Sequence, residues 1–303
     1  MLDEGQLTLN STIQGMHGPI SLRDWIGVPD DMVRQFQTML IPKITIIGET
    51  LPEVWERAVL ATWFYGCDLE TQYDKPEDSP SKDCTMMMVI NNPLREPMIH
   101  KAMPGGIEDL AKYQLEVLEG IHDDWIDLYN SQKWQYTYHH RIMNYPGVEQ
   151  ESINQLDYVV RNLAKAPHTR RAQMIIWFPD IDHFTEHPPC LQRMWFRILD
   201  DHLMMNVHIR SNDAYKASFM NMFVFAQIQK RVAEMVSERI GREIAIGEYT
   251  HIADSFHIYG SYFEDFAGFL NSLQSRSWED RVYNYSNPGI QAIFEETINK
   301  YRK

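Results

Sequence analysis

The sequence predicts an α/β protein of α+β character, built on a mixed, largely antiparallel sheet with helices packed against it. Three observations lead there. Apolar, β-prone runs at 173–178, 193–199 and 203–209 follow one another closely, and the last two are joined by the short turn Asp200-Asp201-His202, as in a hairpin. Directly afterwards Met222, Phe225, Ile228, Val232, Met235 and Val236 recur at three- and four-residue spacing until Gly241, the longest helical signal in the chain. No repeat, low-complexity tract or linker divides the 303 residues, so a single domain is expected.

Taken in order, residues 1 to about 50 give mixed signals, because Gly15, Gly18, Pro19, Gly27 and Pro29 interrupt short apolar pieces; Lys43 to Ile47 reads as a buried strand. Between Pro52 and Tyr65 the residues Val54, Trp55, Ala58, Val59, Ala61 and Trp63 fit one amphipathic helix. Residues 68–83 are polar and hold Pro76 and Pro80, which predicts an exposed, mobile loop. Cys84 to Ile90 reads as a strand stopped by Asn91-Asn92-Pro93, its methionines serving as core filler. A helix is expected from 106 to 120, with Glu108 and Asp109 in its first turn. Then comes an aromatic cluster, Trp125, Trp134, Tyr136, Tyr138, His139 and His140, either a packed loop or a wall on which a flat ligand stacks. Residues 150–164 repeat as a helix that Pro167 ends. One further strand near 248–253 precedes a helical tail.

Composition bounds the function. With 44% hydrophobic residues the chain can bury a sizeable core, and 28 basic against 42 acidic residues give a formal charge of -14. That balance disfavours nucleic acid and anionic lipid as partners, so any phosphate must be held by a few local arginines. Cys67, Cys84 and Cys190 are odd in number and lack metal-ligand spacing, which points to a reducing cytoplasm, with neither a disulfide framework nor a metal. The start, residues 1–5, lacks the pattern of a secretory leader, and no apolar run approaches membrane-spanning length.

Chemistry concentrates between Pro188 and Tyr259. Pro188 and Pro189 stiffen the approach to Cys190, and Arg210, Ser211, Asn212, Asp213, Asn221, His257 and Tyr259 follow. A thiolate nucleophile needs a nearby cation to lower its pKa, and a phosphorylated, hydroxylated substrate needs an arginine, an amide and hydroxyl partners. A Cys-His hydrolase is the obvious rival, but no such signature flanks Cys190.

These motifs resemble the thymidylate synthase superfamily over roughly residues 105–262. Pro188-Pro189-Cys190 is similar to its nucleophile segment, Arg210-Ser211-Asn212-Asp213 to its Arg-Ser-x-Asp, and His257-Ile258-Tyr259 to its His-x-Tyr. The resemblance implies a thymidylate synthase-like fold, with residues 1–104 a divergent amino-terminal part and 263–303 a helical tail. It implies that Arg210 and Ser211 hold the substrate phosphate, that Asn221 reads the pyrimidine edge, that His257 and Tyr259 bind the sugar 3'-hydroxyl, and that Asp213 lines the active site beside the cofactor. Arg170 and Arg171 would cross a homodimer interface to the partner's phosphate, so that active sites are shared. Tyr136 matches an active-site tyrosine, Glu116 is the counterpart of the catalytic glutamate, and Trp125 and His122 lie where two folate-site tryptophans are usual. The implied cofactor is 5,10-methylenetetrahydrofolate or a related reduced pterin, without a metal, and the implied partner is a pyrimidine nucleoside monophosphate.

Departures from the family pattern matter equally. Leu191 replaces the histidine that follows the cysteine, no Arg-Thr-Gly-Thr-Gly phosphate loop is present, and Lys75 or Lys82 is the candidate to serve instead. Tyr301-Arg302-Lys303 stands where an apolar lid is usual, and these features resemble the archaeal-type and nucleotide-hydroxymethylating branches. In such chemistry Cys190 adds to C6 of the base, and C5 becomes able to attack a one-carbon unit. Polar His122 in place of an indole favours 5-hydroxymethylation of dUMP, with dTMP synthesis or a dCMP or CMP hydroxymethylase as alternatives. A cysteine hydrolase and a catalytically inert nucleotide-binding regulator complete the range.

Overall fold

A computed structural model describes residues 7–127, 130, 133–148 and 151–302; the start at residues 1–5, position 150 of the expected helix and Lys303 lie outside the described residues. The chain opens with a hairpin, β1 (Thr12–Gly15) and β2 (Gly18–Ser21), then two short helices, α1 (Leu22–Ile26) and α2 (Asp30–Phe36). Strand β3 (Lys43–Gly48) alternates exposed and buried residues at the period-2 spacing of a half-buried strand. Helix α3 (Leu51–Tyr65) follows, its first turn set by Pro52. It buries nearly every residue from Leu51 to Thr62, more than one amphipathic face would require.

The expected loop at 68–83 is corrected at both ends. Cys67–Leu69 forms β4 and pairs with the start of β5 (Ser81–Ile90), because the loop's flanks can join the sheet edge while its proline-bearing middle cannot. In β5 the methionines divide by strand period: Met86 and Met88 are fully buried, and Met87 faces outward. After β6 (Ile99–His100), α4 (Ile107–Glu119) ends at Gly120, whose φ of 67° and whose approach to the His139 ring both exclude a side chain. Helix α5 (Tyr138–Met143), capped by Thr137, falls inside the aromatic cluster. The minor hairpin β7 (Tyr145–Pro146) and β8 (Ser152–Ile153) leads to α6 (Gln155–Lys165), then β9 (Gln173–Ile175) and the short α7 (Pro179–Asp182). Strand β9 stops three residues short of expectation, before Pro179.

Strands β10 (Leu191–Leu199) and β11 (His202–Asp213) pair antiparallel through Asp200 and Asp201, at φ 49° and 58°, the left-handed pair that a two-residue hairpin demands. Helix α8 (Ser218–Ile240) crosses over to β12 (Ala245–Ile258), which lies parallel to β11. β12 is much longer than the run at 248–253 suggests. A bulge between Ala253 and Phe256 breaks its alternation, so the sequence hides that His257 is still on the strand. The tail forms α9 (Phe263–Ser275), α10 (Trp278–Arg281), β13 (Val282–Tyr283), which pairs with β6, and α11 (Pro288–Tyr301).

The main sheet has the order β3-β5-β12-β11-β10-β9, with β4 beside β5; β3 runs parallel to β5 and β11 to β12, and the other pairs are antiparallel. Helices α3 and α8 pack against it, and strands from the first 104 residues share it with those from the motif region. No helix among the described residues is long and apolar enough to cross a membrane.

Candidate active site

Parallel pairing of β11 with β12 brings Ser211 opposite Ser255 and Asp213 opposite His257, and antiparallel pairing sets His257 opposite Asp83 of β5. Cys190, immediately before β10, is held to the same end of the sheet by its carbonyl, which accepts from the Arg210 amide at 2.9 Å. Cys190, Arg210, Ser211, His257 and Tyr259 therefore line one cleft of about 450 Å³, although as many as 69 residues separate them in sequence. Its far wall is Leu69 to Tyr73, from the stretch expected to be a free loop, and the Tyr73 ring stands edge-on to Tyr259.

The prolines before Cys190 offer carbonyls but no donors. Arg210 answers both, Nη2 donating to the Pro188 oxygen at 2.7 Å and Nε to Pro189 at 3.0 Å. The guanidinium thus fixes the nucleophile's approach and leaves its remaining donors for an anion. Burial pushes the Cys190 thiol above its ordinary pKa of 9.0, and Arg210 only partly offsets that. The guanidinium lowers the thiol's pKa, as expected of a neighbouring cation, but desolvation outweighs it.

Next to this cleft lies a chamber of about 370 Å³ lined by Tyr113, Glu116, Trp134, Tyr136 and Tyr138. Burial raises the pKa of Tyr113, Tyr136 and Tyr138, and each phenol also feels the charge of Cys190. All three are neutral donors near neutral pH. Tyr113 donates to Oδ1 of Asn221 at 2.6 Å, so this amide, inside α8 and not capping it, has one oxygen lone pair engaged and its NH2 group still to offer. Glu116, pushed up by burial and drawn down by its 3.2 Å contact with His122 Nδ1, sits at the junction with a third groove.

That groove, about 780 Å³, is bordered by Lys112, His122, Trp125 and Tyr301. His122 is only 4% exposed; its ring stacks on Trp125 at 3.8 Å and meets Trp134 edge-on at 5.4 Å. The half-exposed Trp125 leaves a flat apolar surface on which a planar ring can stack.

Four expected site residues, Asn221 among them, line none of these cavities. Asp213 turns its Oδ1 to the amides of Tyr215 and Lys216, where burial raises its pKa to about 6 and those hydrogen bonds oppose the rise. Arg170 and Arg171 are exposed before β9. Of the candidate phosphate lysines, Lys82 pairs with Asp68 at 2.6 Å and Lys75 is exposed; neither lines the cleft, which has Arg210 as its cation. Besides the far wall at Leu69 to Tyr73, two cleft residues were not foreseen, Asp83 and Ser255. Asp83 is buried, and burial raises its pKa to about 6 against the lowering effect of Ser255. Only strand pairing between distant segments puts these two together, a signal absent from either segment alone. Among the described residues no cluster of three or more His, Cys, Asp or Glu could hold a metal.

Comparison with known proteins places these features in context. The family model described as thymidylate synthase matches residues 106–280. The chain is 36% identical over 138 residues to a candidate thymidylate synthase of Methanocaldococcus jannaschii, a match spanning 44% of this chain and 59% of that relative, less than two thirds of its length. It is 25% identical over 229 residues to one of Methanococcoides burtonii, covering 76% of this chain and 95% of the relative. The structure of thermostable thymidylate synthase A from Bacillus subtilis superposes with a TM-score of 0.56 at 18% identity, over 75% of this chain and 86% of that one, a likeness of fold.

Proposed function

The chain belongs to the thymidylate synthase family, and from that premise we propose that it transfers a one-carbon unit to C5 of dUMP, with 5-hydroxymethyl-dUMP as product. Support for the nucleotide comes from one cleft holding a thiol, a guanidinium with donors to spare, and the His257–Tyr259 pair. Cys190 attacks C6, Arg210 and Ser211 hold the phosphate, and His257 and Tyr259 meet the sugar. The covalent bond to C6 moves negative charge toward C5 and the C4 oxygen, where the Asn221 NH2 stabilises it. Tyr136, a neutral phenol facing the same thiol, is a donor toward the ring or a bridging water. Methylenetetrahydrofolate supplies the one-carbon unit when bound, and the stacked His122–Trp125 surface beside Glu116 is suited to its pterin ring. Asp213 shapes the cleft indirectly, through the turn it caps and through its charge on Tyr259.

The observation that favours water over hydride in the last step is the Glu116–His122 pair. A carboxyl and an imidazole at the junction of chamber and groove can hold a water and take its proton as it adds to the exocyclic methylene on C5. Trp125 and Trp134 flanking His122 support the second reading, methylation to dTMP, because apolar rings exclude water. Incubation with dUMP and methylenetetrahydrofolate separates the two. Hydroxymethylation gives a product 30 mass units heavier, about one formaldehyde, and regenerates tetrahydrofolate, whereas one dihydrofolate per nucleotide establishes dTMP synthesis. As for the base, an amide offers both a donor and an acceptor, as uracil's O4 and N3–H require. Asn221→Asp is expected to move preference toward dCMP by tenfold or more, about one hydrogen bond's worth. Equal turnover of dUMP and dCMP by the unmodified protein would remove the uracil assignment.

A further inference from the structure

The geometry around His257 carries a role for two residues outside the family motifs. Ser255 Oγ donates to Asp83 Oδ2 at 2.5 Å and lies 3.0 Å from His257 Nδ1. A hydroxyl has one proton, and here the carboxylate takes it. The Ser255 oxygen then faces Nδ1 with a lone pair, so Nδ1 must carry a hydrogen to make that contact. His257 is buried, and burial pulls its pKa down to about 4 against the opposing effects of the Ser255 backbone and Asp74. The ring is therefore neutral, with a single N–H, and its other nitrogen, Nε2, is left as a bare acceptor. Tyr259, its ring 4.6 Å away and nearly perpendicular, lines the same cleft and can donate.

We infer that Asp83 and Ser255 are positioning residues that fix His257 as the Nδ1–H tautomer, so that Nε2 accepts a hydrogen bond from a sugar hydroxyl of the bound nucleotide. The inference rests on the nucleotide reading above and adds the direction of the hydrogen bond: the site selects for a hydroxyl able to donate. Strand pairing makes the relay rigid, since Asp83 and His257 are cross-strand neighbours in β5 and β12 and the bulge before Phe256 turns Ser255 toward them.

Two measurements test it. Nitrogen-15 NMR of the histidines in the unliganded protein at pH 8 is expected to report His257 with its proton on Nδ1. Asp83→Ala frees the Ser255 hydroxyl to donate to Nδ1 and is expected to move the proton to Nε2, while Ser255→Thr keeps the wild-type signature. In parallel, dUMP is expected to bind wild type about tenfold more tightly than 2',3'-dideoxyuridine monophosphate, about one hydrogen bond. That ratio should fall toward one in Asp83→Ala and persist in Ser255→Thr. A wild-type ring carrying its proton on Nε2 overturns the relay even if no variant folds. A wild-type ratio near one, with dUMP bound, overturns the sugar assignment and leaves the proposed reaction standing. Failure of wild type to bind either nucleotide overturns the functional reading and the sugar assignment with it, the tautomer alone then deciding the relay.

Discussion

At the residue scale, the chemistry turns on groups whose ordinary pKa values the fold has moved. Cys190 is half-buried, and desolvation keeps its thiol protonated despite Arg210. Alkylation by iodoacetamide is thus expected to be slow at pH 7 and to climb as pH rises past 9, since the thiolate forms only above the raised pKa. A plateau reached below pH 8 would contradict that ordering of desolvation and charge. Cys190→Ser is expected to lose turnover by 10³-fold or more, the order of a lost nucleophile, while keeping nucleotide affinity. Asp83 gives a second, signed expectation. Its carboxyl ionises near 3.8 when unfolded but is pushed to about 6 in the fold. Such a group stabilises fully below 3.8, and its contribution is lost as pH rises through 6. Asp83→Asn, which removes the ionisation, is expected to gain up to about 3 kcal/mol at pH 8, a gain that shrinks as pH falls through 6 toward 4. Urea midpoints at the two ends of that range measure it.

At the element scale, a buried ionic knot ties α1, α3 and β6 to α10. Glu56 on α3 accepts from Trp25 of α1 at 2.9 Å, contacts His100 of β6 at 2.8 Å and receives Arg281 of α10 at 2.9 and 3.0 Å. Burial opposes its ionisation, but His100 and Arg281 prevail and hold it below the usual carboxylate range. Glu56→Ala would leave the fully buried Arg281 charge without its counter-ion, a loss of about 3–5 kcal/mol. Thermal unfolding should register it, and a variant with unchanged Tm would mean that Arg281 finds other partners. Nothing in the spacing of Trp25, Glu56, His100 and Arg281 announces this knot.

At the scale of the whole molecule, one side of the sheet is covered by α3 and α8, while the other presents Ile47 at 55% and Met87 at 37% exposure. The exposed Arg170 and Arg171 line none of the three cavities described above. Both features fit a two-fold dimer in which the arginine pair reaches the partner's phosphate. Mixing equal amounts of Cys190→Ser and Arg171→Ala subunits is then expected to restore up to about one quarter of wild-type activity, since about half the dimers are hybrids and one of the two sites in each hybrid is intact. No recovery from mixed, refolded subunits, or a monomer by sedimentation, would remove the shared site.

The sequence by itself determined the α/β class, the helices read between Pro52 and Tyr65, between Gly106 and Gly120 and from Met222 to the stop at Gly241, and the family, because helical periodicity, glycine stops and short ordered motifs are local and survive being read in one dimension. It also named Cys190, Arg210, Ser211, His257 and Tyr259 as one constellation, and these line one cleft. Tertiary structure alone decided the rest. Strand register put Asp83 and Ser255 beside His257, a bulge carried β12 past its visible pattern, and the packing of α4 on α8 joined Tyr113 to Asn221. It also set the protonation of Cys190 and His257, because desolvation depends on everything that surrounds a group, and no local pattern of residues records that.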